Sequence, residues 1–257
     1  MTAQIIGEAR TVHRYRPDPM ARLPLRAELY LIAHNDDTGE PYINTDSLAI
    51  GLAGAILLEL WLSKHVAIGW TVDTLTNQWV RGPGRLTEME VRPPGDPLSE
   101  AALAMIRHTR HVPGQLRAWL REFAATNLYE RVRANMVAVG VLERTTRRRS
   151  FGLVRTDAYL PAHHAWPVRA RGHVRAVVRG YEDPARPGRE LPDDQCVGLC
   201  GLVEVLELAE FLYHPHASTG RVRRLLRYIV GQHAPTIGEV IAAVDAGRGD
   251  LAVAAMR

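Results

Sequence analysis

The stretch LAIGLAGAILLELWLSK, residues 48–64, is apolar on nearly every side when it is drawn as a helix. A surface helix carries its polar residues on one face, so a helix that is apolar all round is expected to lie in the centre of the fold. Gly51 and Gly54 allow neighbouring backbones to approach it closely. Thr45, Asp46 and Ser47 precede it, and each is suited to cap its N-terminus. The remaining chain is predicted to wrap around this helix.

The same stretch is too short an apolar run to cross a bilayer. Eleven residues, 48–58, precede the first charged residue, Glu59, whereas a spanning helix needs about 20. The N-terminal residues also lack the basic and apolar regions in the order that a signal peptide has them. We therefore expect a cytoplasmic protein that attaches to the inner face of a membrane at most peripherally.

The composition is that of a globular protein with a helical bias. Of the 257 residues, 46% are hydrophobic and 23% are charged, which excludes collagen-like, disulfide-scaffold and wholly disordered classes. Aromatic residues make up 6%, less than a β-rich protein would normally use. The two cysteines, Cys196 and Cys200, are spaced as two thiols on one face of a helix, where free cysteine packs as a small hydrophobic group.

Hydrophobic periodicity predicts a mainly α fold. Besides the central helix, it predicts helices over residues 21–34, 98–110, 113–123, 127–139, 164–179, 195–213, 220–230 and 236–253. Residues 66–76 alternate like a strand, and the prolines and glycines of 81–97 indicate a loop. We predict an N-terminal arm over 1–19 and a single globule over 20–257, in which amphipathic helices wrap central apolar ones and one β-hairpin projects.

Basic residues concentrate in the middle of the chain. Residues 131–179 contain eleven arginines and two acids, Glu143 and Asp157, so this segment has a net charge of +9 while the whole chain has +4. A strongly positive face attracts nucleic acid or anionic lipid. The charge distribution therefore points to a polyanionic partner more clearly than the modest total does.

Two short segments around a basic turn, residues 143–155, predict the projecting β-hairpin. Its apolar residues have no evident buried role if the hairpin projects: Phe151, Leu153 and Val154. Basic side chains beside exposed apolar ones suit an anionic membrane, although a wing packed against its own domain remains an alternative. We predict that seven arginines contact lipid headgroups: Arg131, Arg133, Arg144, Arg147, Arg148, Arg149 and Arg155.

Signatures of enzymes and of metal sites are missing from the sequence. It has no G-x-S-x-G, no P-loop and no H-E-x-x-H motif. The pairs His163–His164 and His214–His216 lack the helical i, i+4 spacing of two ligands to one metal. Asp193 and Asp194 precede the Cys196 helix, where they are predicted to cap it. We therefore predict no catalytic residue, no metal and no cofactor.

Three segments together resemble the Golgi phosphoprotein 3 family of phosphoinositide-binding peripheral membrane proteins. They are residues 28–33 with the turn that follows, residues 46–62 with their G-L-x-G and E-L-x-L patterns, and residues 131–142 leading into the hairpin. The order of the helices fits over residues 20–257. The resemblance implies a hairpin used for membrane insertion or self-association. The implied partners are an anionic membrane lipid, a second copy of the chain and an unidentified protein.

In eukaryotic members of this family, one tryptophan and three arginines hold the headgroup of phosphatidylinositol-4-phosphate. We aligned the chain with the family pattern on Gly51, Gly54 and Gly140. The four pocket positions then fall on residues that differ from the family's: Asn44, Ala53, Thr126 and Tyr129. The bidentate contacts that arginine makes with phosphate are absent at these positions.

Two functions follow from the sequence. The first is a non-enzymatic peripheral membrane protein that binds anionic phospholipid, including phosphoinositide, through the basic face and the hairpin. The alternative is a nucleic-acid-binding module, because a helix over 127–139 followed by a basic hairpin resembles a winged helix. Few aromatic side chains near the hairpin are suited to stacking on bases, which favours the lipid.

Overall fold

The described part of the chain is mainly helical. The structure, a computed structural model, describes residues 18, 21–73, 75–89, 92–108, 115–149, 154–183, 191–213 and 219–255, with the backbone alone at 115, 147–149, 154–156, 219 and 255. The helices are α1 (Leu25–Ile32), α2 (Thr45–Leu62), α3 (Pro97–His108), α4 (Gln115–Ala125), α5 (Leu128–Ala138), α6 (Ala165–Glu182), α7 (Asp194–Val205), α8 (Ala209–Leu212), α9 (Thr219–Gly231) and α10 (Pro235–Ala255). Two antiparallel hairpins contain the strands β1 (Val66–Val72), β2 (Trp79–Glu88), β3 (Leu142–Arg149) and β4 (Val154–Pro161).

Helix α2 lies in the core, as its uniformly apolar sequence predicts. Its residues from Leu48 to Leu60 are buried with the exception of Glu59. Among the described residues, α2 is the one helix long and apolar enough to cross a membrane, with a mean hydropathy of 1.5 over 18 residues, of which 67% are buried. That burial is what the core helix of a globular fold shows.

The N-cap of α2 is Asn44 and not one of the three predicted residues. Its side chain accepts a hydrogen bond from the backbone N–H of Asp46 at 2.7 Å and a longer one from Ser47 at 3.4 Å. Asn44 takes this role because its own backbone is still extended, with φ −56° and ψ 134°, while Thr45 is already the first residue of the helix. A capping side chain needs that non-helical backbone to reach the free N–H groups.

Five helices surround α2 in a ring, in the order α1, α5, α4, α10 and α7. Each of them packs on α2 and on its two neighbours in the ring. Close approach between α2 and α10 requires Gly54, since a Cβ there would lie 2.5 Å from Cγ2 of Val244. Outside the ring, α6 covers α1 and α7, while α9 covers α7 and α10. The predicted arrangement of a central apolar helix wrapped by others is confirmed.

The strand predicted after α2 pairs with a strand that the sequence analysis missed. Trp70 of β1 lies opposite Arg81 of β2, and Val72 lies opposite Trp79. The prediction of a loop over residues 81–97 was therefore wrong as far as Glu88. Pro83 is tolerated within β2 because it lies in the irregular stretch between Arg81 and Leu86, which has no paired residue on β1.

Helix ends differ from the predictions where a residue turns the chain. The predicted helix 195–213 is divided into α7 and α8, and Glu207 between them has φ 60°. The helix predicted over 127–139 ends at Ala138, and Val139 is 45% exposed because the chain turns at Gly140, where φ is 77°. The predicted N-terminal arm lies outside the described residues, apart from Asp18.

Candidate functional site

The predicted hairpin is formed by β3 and β4. Its register runs without a break from Leu142 opposite Pro161 to Arg149 opposite Val154. It begins directly after α5, where the N–H of Val141 donates to the carbonyl oxygen of Met136 at 2.8 Å. Val141 and Leu142 are each 2% exposed, so the base of the hairpin is part of the core. The tip residues Phe151 and Leu153 lie outside the described residues, and only the backbone of Val154 is described.

The turn after α1 holds β4 in place. Gly39 in that turn has φ 71°, and a Cβ on it would lie 2.5 Å from the carbonyl oxygen of Tyr159. Arg171 of α6 donates to a carboxylate oxygen of Asp36 in the same turn at 2.7 Å. The turn, α6 and the hairpin are therefore fixed relative to one another, and the position of Gly39 accepts only a residue without a side chain.

We expect Gly39→Ala to lower the free energy of unfolding by clearly more than the ~1 kcal/mol that a positive φ costs a residue other than glycine. The extra loss arises because the methyl group would push β4 away. Gly95→Ala is the matched control, since Gly95 has φ 72° and open space around it. Urea unfolding of both variants measures the difference, and equal losses would show that the contact with Tyr159 is unimportant.

Arg133 of α5 holds the hairpin against that helix, and Arg144 joins the two strands of the hairpin. The guanidinium of Arg133 lies 4.0 Å from the centre of the Tyr159 ring and forms an ion pair with Glu130. Nη2 of Arg144 lies 2.5 Å from Oδ2 of Asp157 on the facing strand. The hydrogen bond from Arg144 also holds the pKa of Asp157 below its usual range. Both side chains are thus engaged within the protein.

Arg131 faces the start of α5. Its Nη1 donates to Oγ1 of Thr126 at 2.9 Å, and its guanidinium lies 5.8 Å from the centre of the Phe123 ring. The other four predicted lipid contacts, Arg147, Arg148, Arg149 and Arg155, have a described backbone alone, in which Arg148 pairs with Arg155. Three of the seven arginines therefore contact other residues of the protein, and the other four lie towards the end of the hairpin.

The four positions of the family pocket do not form a basic site. Asn44 caps α2, Ala53 is fully buried, and the hydroxyl of Thr126 donates to the carbonyl oxygen of Phe123 at 2.7 Å. Tyr129 lines a cavity of about 280 Å³ together with Thr45, Asp46, Ala49, Ala124, Ala125, Asn127, Leu128 and Glu130. The charged residues of this lining are both acidic, so the cavity is unsuited to a phosphate group.

Tyr129 is held by a buried histidine. Nδ1 of His34 lies 2.7 Å from the carbonyl oxygen of Tyr30, and Nε2 lies 2.8 Å from the hydroxyl of Tyr129. A carbonyl only accepts, so the proton of the neutral ring is assigned to Nδ1 and the Tyr129 hydroxyl donates to Nε2. Burial lowers the pKa of His34 to about 4. The imidazole is therefore neutral near pH 7 and serves as an acceptor.

A larger cleft of about 1000 Å³ lies beside the base of the hairpin. Its walls are residues 21–24, 26–27 and 135–144, which are mostly apolar, and their charged residues are Arg22, Arg26, Glu143 and Arg144. Its size is that of a small-molecule pocket. Local sequence does not reveal this cleft because its two walls are more than a hundred residues apart in the chain.

The described residues contain no group of three His, Cys, Asp or Glu side chains that could hold a metal ion. His163 and His164 stack on each other at 4.7 Å, whereas His214 and His216 lie outside the described part of the chain. Asp193 caps α7, as predicted, by accepting from the N–H of Cys196 at 2.8 Å. Burial raises the pKa of the Cys196 thiol to about 11, which makes it a poor nucleophile near pH 7.

Comparisons with known proteins gave one family. The model of a family described as Golgi phosphoprotein 3 (GPP34) matches residues 25–247. The comparison with curated proteins gave no significant match. The matched range includes α2, both hairpins and the ring of helices around α2, apart from the last eight residues of α10.

Proposed function

The chain belongs to the Golgi phosphoprotein 3 family, and from this premise we propose that it is a non-enzymatic peripheral membrane protein that binds anionic phospholipid through the β3–β4 hairpin. Membership of the family indicates a function related to lipids at a membrane. Two points are our proposal: the hairpin makes the contact with lipid, and the protein catalyses no reaction.

The observation that carries the proposal is the charge of the distal hairpin. Residues 147–155 contain four arginines and no acid, together with Phe151, Leu153 and Val154. Each basic residue near an anionic leaflet contributes about 1 kcal/mol to binding, and apolar side chains add burial in the interface. This combination favours a bilayer over a purely aqueous partner.

The proposed membrane contact contains fewer arginines than the basic segment 131–179 suggests. Glu130 pairs with Arg133, Asp157 with Arg144 and Asp36 with Arg171. These three ion pairs position the hairpin and its neighbours, so they leave fewer guanidinium groups for lipid phosphate. The remaining positive charge of the hairpin lies in the arginines at 147–149 and 155.

Binding is proposed to depend on surface charge more than on one headgroup. The cavity at the family pocket has Asp46 and Glu130 as its charged residues, which disfavours capture of a phosphoinositide there. We expect vesicles that contain phosphatidylserine or phosphatidylinositol-4-phosphate to bind the chain equally when their surface charge is matched. A strong preference for the phosphoinositide at equal charge would contradict this part of the proposal.

Nucleic acid is the less favoured alternative. In a winged helix the recognition helix needs free basic side chains for the phosphates and bases of DNA. On α5 the guanidinium of Arg131 is bonded to Thr126, and that of Arg133 is paired with Glu130. This engagement favours the lipid over the nucleic acid.

Co-sedimentation with vesicles tests the proposal. We expect the chain to pellet with vesicles of phosphatidylcholine and phosphatidylglycerol and to stay in solution with phosphatidylcholine alone. Replacing Arg147, Arg148 and Arg149 together by alanine is expected to weaken binding about 100-fold, which corresponds to about 3 kcal/mol for three residues.

A variant with the same change in charge provides the control. Arg85, Arg92 and Arg121 are exposed and lie outside the hairpin, so their joint replacement by alanine should leave binding nearly unchanged. If both triple variants lose affinity equally, the chain responds to total charge and the hairpin is not the contact. Equal pelleting of the wild type with neutral vesicles would also reject the proposal.

A further inference from the structure

Helix α9 carries a second basic surface on its outer face. The helix has four arginines and no acidic residue. Arg221, Arg224 and Tyr228 are exposed, and their i, i+3, i+7 spacing places them on one side of a helix. The opposite side is buried through Leu226 and Ile229, which are fully inaccessible. We call the outer face, with Arg221, Arg224, Arg227 and Tyr228, the α9 surface.

The charge of the α9 surface is only partly compensated. Arg227 lies 2.6 Å from Oε1 of Glu204, a carboxylate that is 4% exposed, and Arg223 approaches the same oxygen at 3.7 Å. These contacts compensate part of the charge of Arg227 and Arg223. Within the described ranges, Arg221 and Arg224 have no carboxylate partner. They are therefore the two arginines of α9 whose charge is directed to solvent.

The α9 surface and the β3–β4 hairpin lie on different sides of the fold. In the ring around α2, α5 lies between α1 and α4, and it carries the hairpin through β3. Helices α7 and α10 lie across α2 from α5, and α9 packs on the outside of both. The elements that pack most closely on α5 are different from those that pack most closely on α9. We therefore expect a single flat membrane to contact one of the two surfaces at a time.

We propose that the α9 surface is a second contact for anionic phospholipid, so that one molecule binds two bilayers and holds vesicles together. Guanidinium groups recognise the phosphate of lipid headgroups, and a tyrosine with an apolar body and a polar tip suits the membrane–water interface. The inference rests on the proposed function, because the hairpin provides the first contact. It adds a bridging role that binding through one face does not supply.

Dynamic light scattering on vesicles of phosphatidylcholine and phosphatidylglycerol tests this inference. The wild type is expected to raise the mean vesicle diameter severalfold. A variant with Arg221→Ala and Arg224→Ala is expected to weaken the second contact about 30-fold and so to leave the diameter near that of vesicles alone. The same variant should pellet with vesicles as the wild type does, since its hairpin is intact.

The control variant Arg85→Ala and Arg121→Ala removes the same charge from exposed positions elsewhere and should cluster vesicles normally. Clustering by the α9 variant at the wild-type level would overturn the bridging role and would assign any clustering to self-association. If the wild type pellets with no vesicles at all, the proposed function fails and the inference with it. Binding of duplex DNA that the α9 variant loses, without vesicle clustering by the wild type, would assign the α9 surface to nucleic acid instead.

Discussion

Replacing Arg26 by methionine is expected to lower the free energy of unfolding by about 3–5 kcal/mol, the loss that follows when one partner of a buried ion pair is removed. Arg26 is 8% exposed. Its guanidinium pairs with Glu59 of α2 and lies 2.9 Å from Oδ2 of Asp96. The backbone N–H of Arg26 donates to Oε1 of Glu59 at 2.7 Å. Without the guanidinium, the carboxylate of Glu59, whose side chain is only 15% exposed, has lost its compensating cation.

The dependence of this loss on pH identifies its cause. Burial already raises the pKa of Glu59, and Arg26 opposes that rise, so the variant should raise it further. When the pKa of a carboxyl group is higher in the folded than in the unfolded chain, the protein loses stability as the pH rises above the unfolded pKa. That pKa is about 4.3 for glutamate. The deficit of Arg26→Met should therefore shrink on acidification, as measured by urea unfolding across that range.

A double variant serves as the control for this prediction. Glu59→Gln in the Arg26→Met background removes the buried charge but keeps an oxygen that accepts from the backbone N–H of residue 26. It should recover most of the lost stability at neutral pH. A deficit that is independent of pH and is not recovered would show that Arg26 acts through the packing of its aliphatic stem.

Acidification from pH 6.5 to pH 4 is expected to remove about 3 kcal/mol of stability through His34, since each pKa unit corresponds to about 1.4 kcal/mol. The folded pKa of His34 is about 4, while an unperturbed histidine titrates near 6.5. Between these values the unfolded chain binds one more proton than the folded chain, so stability decreases as pH falls. The physical causes are burial, which dominates, and the nearby charge of Arg133.

The double variant His34→Leu and Tyr129→Phe isolates this contribution. It removes the titrating ring together with the hydroxyl that donates to it, so that neither member of this hydrogen bond is left buried without the other. The wild type should lose more stability than the variant between pH 6.5 and pH 4, and the two slopes should agree above pH 7. If the stabilities of the wild type and the variant change equally with pH throughout the range, protonation of His34 in the folded state costs no stability.

The core of the fold was predictable from local sequence. The stretch 48–64 has no polar face, and a helix without one has to be surrounded, as α2 is. The β3–β4 hairpin was predictable because a basic turn separates two short segments directly after Gly140. Strand β2 was missed because Pro83 and its neighbouring glycines indicate a loop unless the pairing with β1 is known.

The partners of the arginines were beyond the reach of local sequence. The charge count over 131–179 excludes Glu130 by one residue, although Glu130 pairs with Arg133. Asp36, which pairs with Arg171, is 135 residues away in the chain. The count therefore overestimated the positive charge of the middle segment. It also gave no weight to α9, where Arg221 and Arg224 have no carboxylate partner among the described residues.

Hydrogen exchange of the wild-type chain, measured by mass spectrometry with and without anionic vesicles, tests the central claim most directly. We predict slower exchange in peptides that cover residues 142–161 when phosphatidylglycerol is present, and no change with phosphatidylcholine alone. Peptides from α3 and α4, away from both proposed contacts, should exchange equally under all conditions. Vesicle binding that leaves the exchange of residues 142–161 unchanged would contradict the account.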